Sequence, residues 1–77
     1  RVFLYWDEPE EFWVNRFRIY RRTEGQDYQL IGETQIPVFV DQGPALMKRD
    51  YRLHAVGPAK EGPGIEIRGA IYTAPPQ

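Results

Sequence analysis

Arg16-Phe17-Arg18-Ile19-Tyr20-Arg21-Arg22 alternates between apolar and charged or polar side chains. A period of two is the mark of a β-strand with one buried face, because successive side chains leave a strand on opposite sides. Phe17 and Ile19 share one side of this run, and Arg18, Tyr20 and Arg22 share the other. The first pair reads as core. The second set reads as a solvent-facing row of cations around an aromatic ring.

Outward from this stretch the pattern repeats. Residues 1–6 put Val2, Leu4 and Trp6 on one face. Residues 28–34 are mixed. Residues 37–41 set Val38 and Val40 around Phe39. Residues 51–56 place Tyr51, Leu53 and Ala55 together, with Arg52, His54 and Val56 opposite. Residues 65–72 place Ile65, Ile67, Gly69 and Ile71 together, with Glu66, Arg68, Ala70 and Tyr72 opposite. Polar or Gly/Pro breaks separate these runs at 7–11, 23–27, 41–44 and 57–64, where turn residues belong. No window holds a helical period, and Phe12-Trp13-Val14 reads as an irregular turn. Six short β-like runs without helices predict an all-β sandwich or small barrel of about six antiparallel strands.

At 77 residues the chain is one domain, spanning 1–77. It opens at Arg1 without an initiator Met, so it reads as a piece of a longer polypeptide. Ten Lys and Arg against eleven Asp and Glu leave a net charge of -1, which offers nucleic acid or an anionic membrane no attractive excess. No apolar run approaches the roughly 20 residues that span a bilayer, so no membrane insertion is expected. A domain this small needs a core dense in large side chains, which its two Trp, five Tyr and four Phe supply.

The order of these motifs resembles a fibronectin type III domain of the kind found in bacterial and phage multidomain proteins. Leu4-Tyr5-Trp6-Asp7-Glu8-Pro9 looks like the family's second strand, with its core Trp, polar turn and Pro. Phe17-Arg18-Ile19-Tyr20-Arg21 looks like the third, Tyr28-Gln29-Leu30-Ile31-Gly32-Glu33-Thr34 like the next, and Phe39-Val40-Asp41 like the one after. Tyr51-Arg52-Leu53-His54-Ala55-Val56 matches the sixth. The resemblance implies an immunoglobulin-like β-sandwich with Trp6, Phe17, Ile19, Tyr51 and Leu53 in the core. It also implies a tyrosine corner at Tyr51, with its hydroxyl bonded back to the preceding crossover and Leu46 as its packing partner. The family's first strand has no counterpart here, and the expectation is an open edge beside the Trp6 strand.

Candidate chemistry is sparse. With no Cys there is no disulfide, thiolate zinc site or thiol nucleophile, and with no Ser there is no serine nucleophile. His54 is the single histidine; without neighbouring ligands it reads as a solvated strand residue rather than a metal ligand. Asp7, Glu8, Glu10 and Glu11 match no calcium-loop spacing, and Pro9 interrupts them. No cofactor is expected, and no catalysis. Arg-Gly-Asp is absent. What remains is a sheet face. The resemblance places the second, fifth and sixth runs in one sheet, whose outer face then collects Arg18, Tyr20, Arg22, Arg52, His54, Arg68 and Tyr72, with Glu66 as counter-charge. Tyr and Arg are enriched at binding hot spots. Such a face suits an acidic partner surface or a sugar ring, or is simply held by cross-strand pairs. The expected function is a structural or protein-interaction module of a larger assembly such as a phage virion. The alternative is a spacer or glycan-contacting accessory domain of a secreted bacterial carbohydrate-active enzyme or adhesin. Its expected location is extracellular or on a virion.

Overall fold

The structure, a computed structural model, describes residues 1–11, 13–42, 49–59, 61–65, 67 and 69–72. Those residues form seven strands and no helix: β1 (Val2–Tyr5), β2 (Arg16–Thr23), β3 (Gln29–Thr34), β4 (Val38–Asp41), β5 (Arg49–Val56), β6 (Glu61–Ile65) and β7 (Gly69–Tyr72). All pairings are antiparallel. A three-stranded sheet has the order β4-β1-β7, and a four-stranded sheet the order β3-β2-β5-β6. The chain is therefore all-β, as its alternation predicts.

The alternating residues set the core. Val2, Leu4 and Trp6 from the small sheet meet Phe17, Ile19, Leu53 and Ala55 from the large one in a single buried cluster. Trp6 and Phe17 touch edge to face, with ring centroids 5.3 Å apart at 69°, an arrangement that aromatic quadrupoles favour. At residue 25 the β2–β3 connection turns with φ of +79°, a left-handed conformation that glycine enters without steric cost. Gln26 N–H closes that turn on Thr23 O at 3.0 Å.

Three features depart from the sequence reading. The run expected over 65–72 as one strand is divided: β6 pairs with β5, and β7 leaves that sheet to pair with β1. β6 also forms inside the stretch 57–64 that reads as a Gly/Pro loop. Glycine permits it. A Cβ at Gly62 would lie 2.7 Å from Trp13 Cη2, and one at Gly57 would lie 2.7 Å from the Trp13 carbonyl and 2.8 Å from its ring. The bare backbone is thus the seat of the Trp13 indole. Pro63 falls where the β5–β6 register shifts, on an edge strand, a position that tolerates a missing N–H. Second, the edge expected to be open beside the Trp6 strand is filled, since β1 lies between β4 and β7. Third, 28–34 looked mixed because it contains a bulge. Ile19 opposes Gly32 and Tyr20 opposes Leu30, leaving Ile31 as the extra residue, packed against the core.

A polar cluster ties the sheets together. Asp41, at the end of β4, accepts from Arg21 on β2 at 2.9 and 3.1 Å and from Arg49 on β5 at 3.1 Å. The Tyr51 hydroxyl donates to the same carboxylate at 2.6 Å. Tyr51 is half-buried, and its bond runs to a side chain at the end of a strand rather than to the crossover. Burial and the adjoining Asp41 carboxylate push the Tyr51 phenol well above its ordinary range. Leu46 lies outside the described residues. Phe39 completes the join, its ring occupying the space where a Cβ on Gly32 would sit, 2.6 Å from Cε1.

Candidate functional site

The register of β2 against β5 decides which outward side chains meet. Arg18 faces His54, Tyr20 faces Arg52 and Arg22 faces Asp50. On the other side of β2, Glu33 faces Arg18 and Leu30 faces Tyr20. Side chains paired across a ladder share a face. Arg18, Tyr20, Arg22, Arg52 and His54 therefore stand together, as the alternation predicts. Tyr72 does not join them: it belongs to β7, opposite Val2 in the other sheet. Parity within a run shows which residues share a side but not where the chain changes sheet. Arg68 and Glu66 lie outside the described residues.

The charges on this face are largely paired. Arg18 Nε donates to Glu33 at 2.8 Å, and its NH1 reaches Glu61 at 3.3 Å. Arg16 stands 3.6 Å from Glu33, and Arg22 donates to Asp50 at 2.9 Å. Tyr20 OH donates to Glu61 at 2.7 Å. The Arg18 hydrogen bond holds the Glu33 carboxyl below its usual range, and the Tyr20 hydroxyl does most to lower that of Glu61. The same bond, helped by burial, raises the Tyr20 phenol. Glu61 is thus fixed as an anion, the opposite of what a general acid needs.

His54 is half-buried rather than solvated. Its Nδ1 lies 3.0 Å from Gly62 O; a carbonyl only accepts, so Nδ1 carries the proton. Its ring meets Tyr20 edge-on at 5.4 Å and 83°. Two guanidiniums rest on the Tyr28 ring, Arg22 at 4.8 Å and Arg52 at 4.3 Å from its centroid, within cation–π range. Tyr20, Tyr28, Arg52, His54 and Glu61 line a shallow depression of about 280 Å³.

Sequence reasoning missed several members. Continued alternation in β2 and β5 would have added Arg16 and Asp50. Tyr28 precedes a bulged strand and Glu61 sits in a Gly/Pro stretch, so neither carried a periodic signal. The small sheet has an outer face of a different kind. Phe3 pairs with Val40 and Tyr5 with Val38; Tyr5 is 44% exposed, Val38 43% and the adjoining Ile36 61%. Among the described residues no group of three His, Cys, Asp or Glu stands ready for a metal ion. Compared with known protein families, with curated proteins and with solved structures, the chain gives no match.

Proposed function

We propose that the chain is an immunoglobulin-like sandwich of the fibronectin type III kind and serves as a non-catalytic protein-interaction module in a larger assembly, such as a phage virion. Support for the fold is that β2 and β5 are neighbours in one sheet, as the resemblance implies for the family's third and sixth strands, and that both sheets contribute to one core around Trp6. The passage of β7 to the other sheet departs from that pattern.

One observation carries the functional reading: Arg52, Tyr20 and Tyr28 line an open depression beside β2 and β5, and Arg22 also rests on the Tyr28 ring. Arg and Tyr in such a cluster are the side chains that anchor protein interfaces. The exposed apolar row of Tyr5, Val38 and Ile36 fits a domain with neighbours. A glycan needs a free aromatic platform, and here Tyr28 already carries two guanidiniums while Tyr20 is bonded to Glu61. The geometry therefore favours a protein partner over the glycan-contacting alternative.

Panning a random peptide library on the immobilised domain tests this. The expected result is a set of peptides that perturb backbone amide resonances of β2 and β5 and lose binding in an Arg52→Glu, Tyr28→Ala variant. Peptides that map to other surfaces, or a panning without enrichment beside a positive glycan array, would overturn it.

A further inference from the structure

A count of the ion pairs on the outer face singles out one residue. Glu33 is shared by Arg16 and Arg18, Glu61 is held by Arg18 and Tyr20, and Asp50 is engaged by Arg22. That leaves Arg52. No carboxylate among the described residues lies within ion-pair distance of it; its guanidinium rests on Tyr28 and borders the depression. Among the described residues these four arginines meet three carboxylates at ion-pair distance, with Asp27 acting on Arg22 from farther off, and the Arg52 guanidinium is exposed at the rim of a concave site. Stacking on Tyr28 restrains the guanidinium, so less side-chain freedom is lost when it engages a ligand.

We infer that this depression is a receptor for one carboxylate side chain of an extended partner segment, with Arg52 as the anchor and Leu30 receiving an aliphatic neighbour of that acid. Leu30 is 51% exposed and stands opposite Tyr20 in the β2–β3 ladder, beside the depression. A guanidinium presents paired donors that match the two oxygens of a carboxylate, and the aromatic wall excludes water from one side. Glu61 lines the same depression and its charge repels every incoming carboxylate, so Arg52 can offset the arrival of one acid but not of several. The partner class is therefore an acidic-aliphatic peptide rather than a polyanion. This rests on the interaction-module reading and specifies its ligand.

The test is a titration of the isotope-labelled domain with acetyl-Leu-Glu-Leu-amide and with its Gln counterpart, followed by nuclear magnetic resonance. The Glu peptide is expected to shift the Arg52 side-chain Nε–H resonance and the amides of Tyr20, Tyr28 and His54, and to bind about tenfold more tightly than the Gln peptide, the usual gap between charge-assisted and neutral hydrogen bonds. Arg52→Gln should abolish the difference between the peptides. Glu61→Gln should tighten the Glu peptide, an effect of charge that a merely structural role would not give. Equal affinity of the two peptides, shifts on another surface, or no shift at millimolar peptide would overturn the inference. Library peptides that occupy the face without any acid would overturn it while leaving the module reading standing. Absence of binding at this face in both experiments would overturn both.

Discussion

Replacing Tyr51 by Phe removes the hydroxyl that joins β5 to β4 through Asp41 and that also accepts a longer bond from Arg49 at 3.4 Å. The hydroxyl donates to Oδ2 at 2.6 Å, and Asp41 is buried. A hydrogen bond to a charged group contributes about 1.5–3 kcal/mol, and the Phe ring keeps the apolar packing. At neutral pH the variant should be about 2 kcal/mol less stable, which for a domain of this size lowers the thermal midpoint by roughly 8–16 °C. The pH dependence discriminates further. Burial and Asp41 raise the folded Tyr51 pKa above the unfolded value of about 10. A raised folded pKa means stability that is fully present below about pH 10 and is lost as pH rises through the folded value. Loss of one proton limits the slope to about 1.4 kcal/mol per pH unit, and solvent screening of a half-buried pair reduces it. The gap between wild type and Tyr51→Phe should therefore narrow by about 1 kcal/mol from pH 7 to pH 11, since the variant has no phenol there to protect. Urea denaturation at both pH values measures it. A gap that stays constant across that range would refute the assignment of Tyr51 as a donor to a buried carboxylate.

Two further outcomes follow from the same reasoning. Gly57→Ala should cost about 1–3 kcal/mol and alter Trp fluorescence, because its Cβ would meet the Trp13 carbonyl at 2.7 Å and backbone yields less readily than a side-chain tip; unchanged stability and emission would remove Trp13 from its glycine seat. The folded Glu33 and Glu61 carboxyls titrate below their unfolded values, so their contribution is present above about pH 4.3 and is lost as pH falls through the folded values; Glu33→Gln should flatten the acid limb of the urea midpoint measured from pH 6 to pH 2, and an unchanged limb would show that the Arg18 pair contributes nothing.

The parts of the fold legible in the sequence are those set by local period. Phe17, Ile19, Leu53, Val2 and Leu4 are buried as their alternation predicts, because a strand's faces are fixed by its own backbone. Long-range contacts decided the rest. Whether 57–64 is a loop or a strand depends on a Trp13 ring that lies elsewhere in the sequence and needs bare backbone beneath it. The division of 65–72 between two sheets leaves the alternation of side chains undisturbed, so no periodic signal marks it. The bulge at Ile31 erased the pattern of its strand by sending two consecutive residues inward.

The candidate site shows the same boundary between what parity gives and what it withholds. Alternation along β2 displays a row of cations, and counted alone they suggest a basic surface. Cross-strand pairing removes most of that charge: Glu33 and Asp50 arrive from neighbouring strands, and Glu61 from a stretch with no strand pattern at all. What survives is determined by the neighbours of each arginine rather than by its own position. Arg18 has Glu33 across one ladder, while Arg22 has Asp50 across the other. Arg52 has Tyr20 across the β2 ladder and Tyr28 beneath its guanidinium, with no carboxylate among the described residues at ion-pair distance. A recognition residue on such a sheet is the one whose neighbours are aromatic instead of acidic, since a ring holds a guanidinium in place without consuming its hydrogen-bond donors.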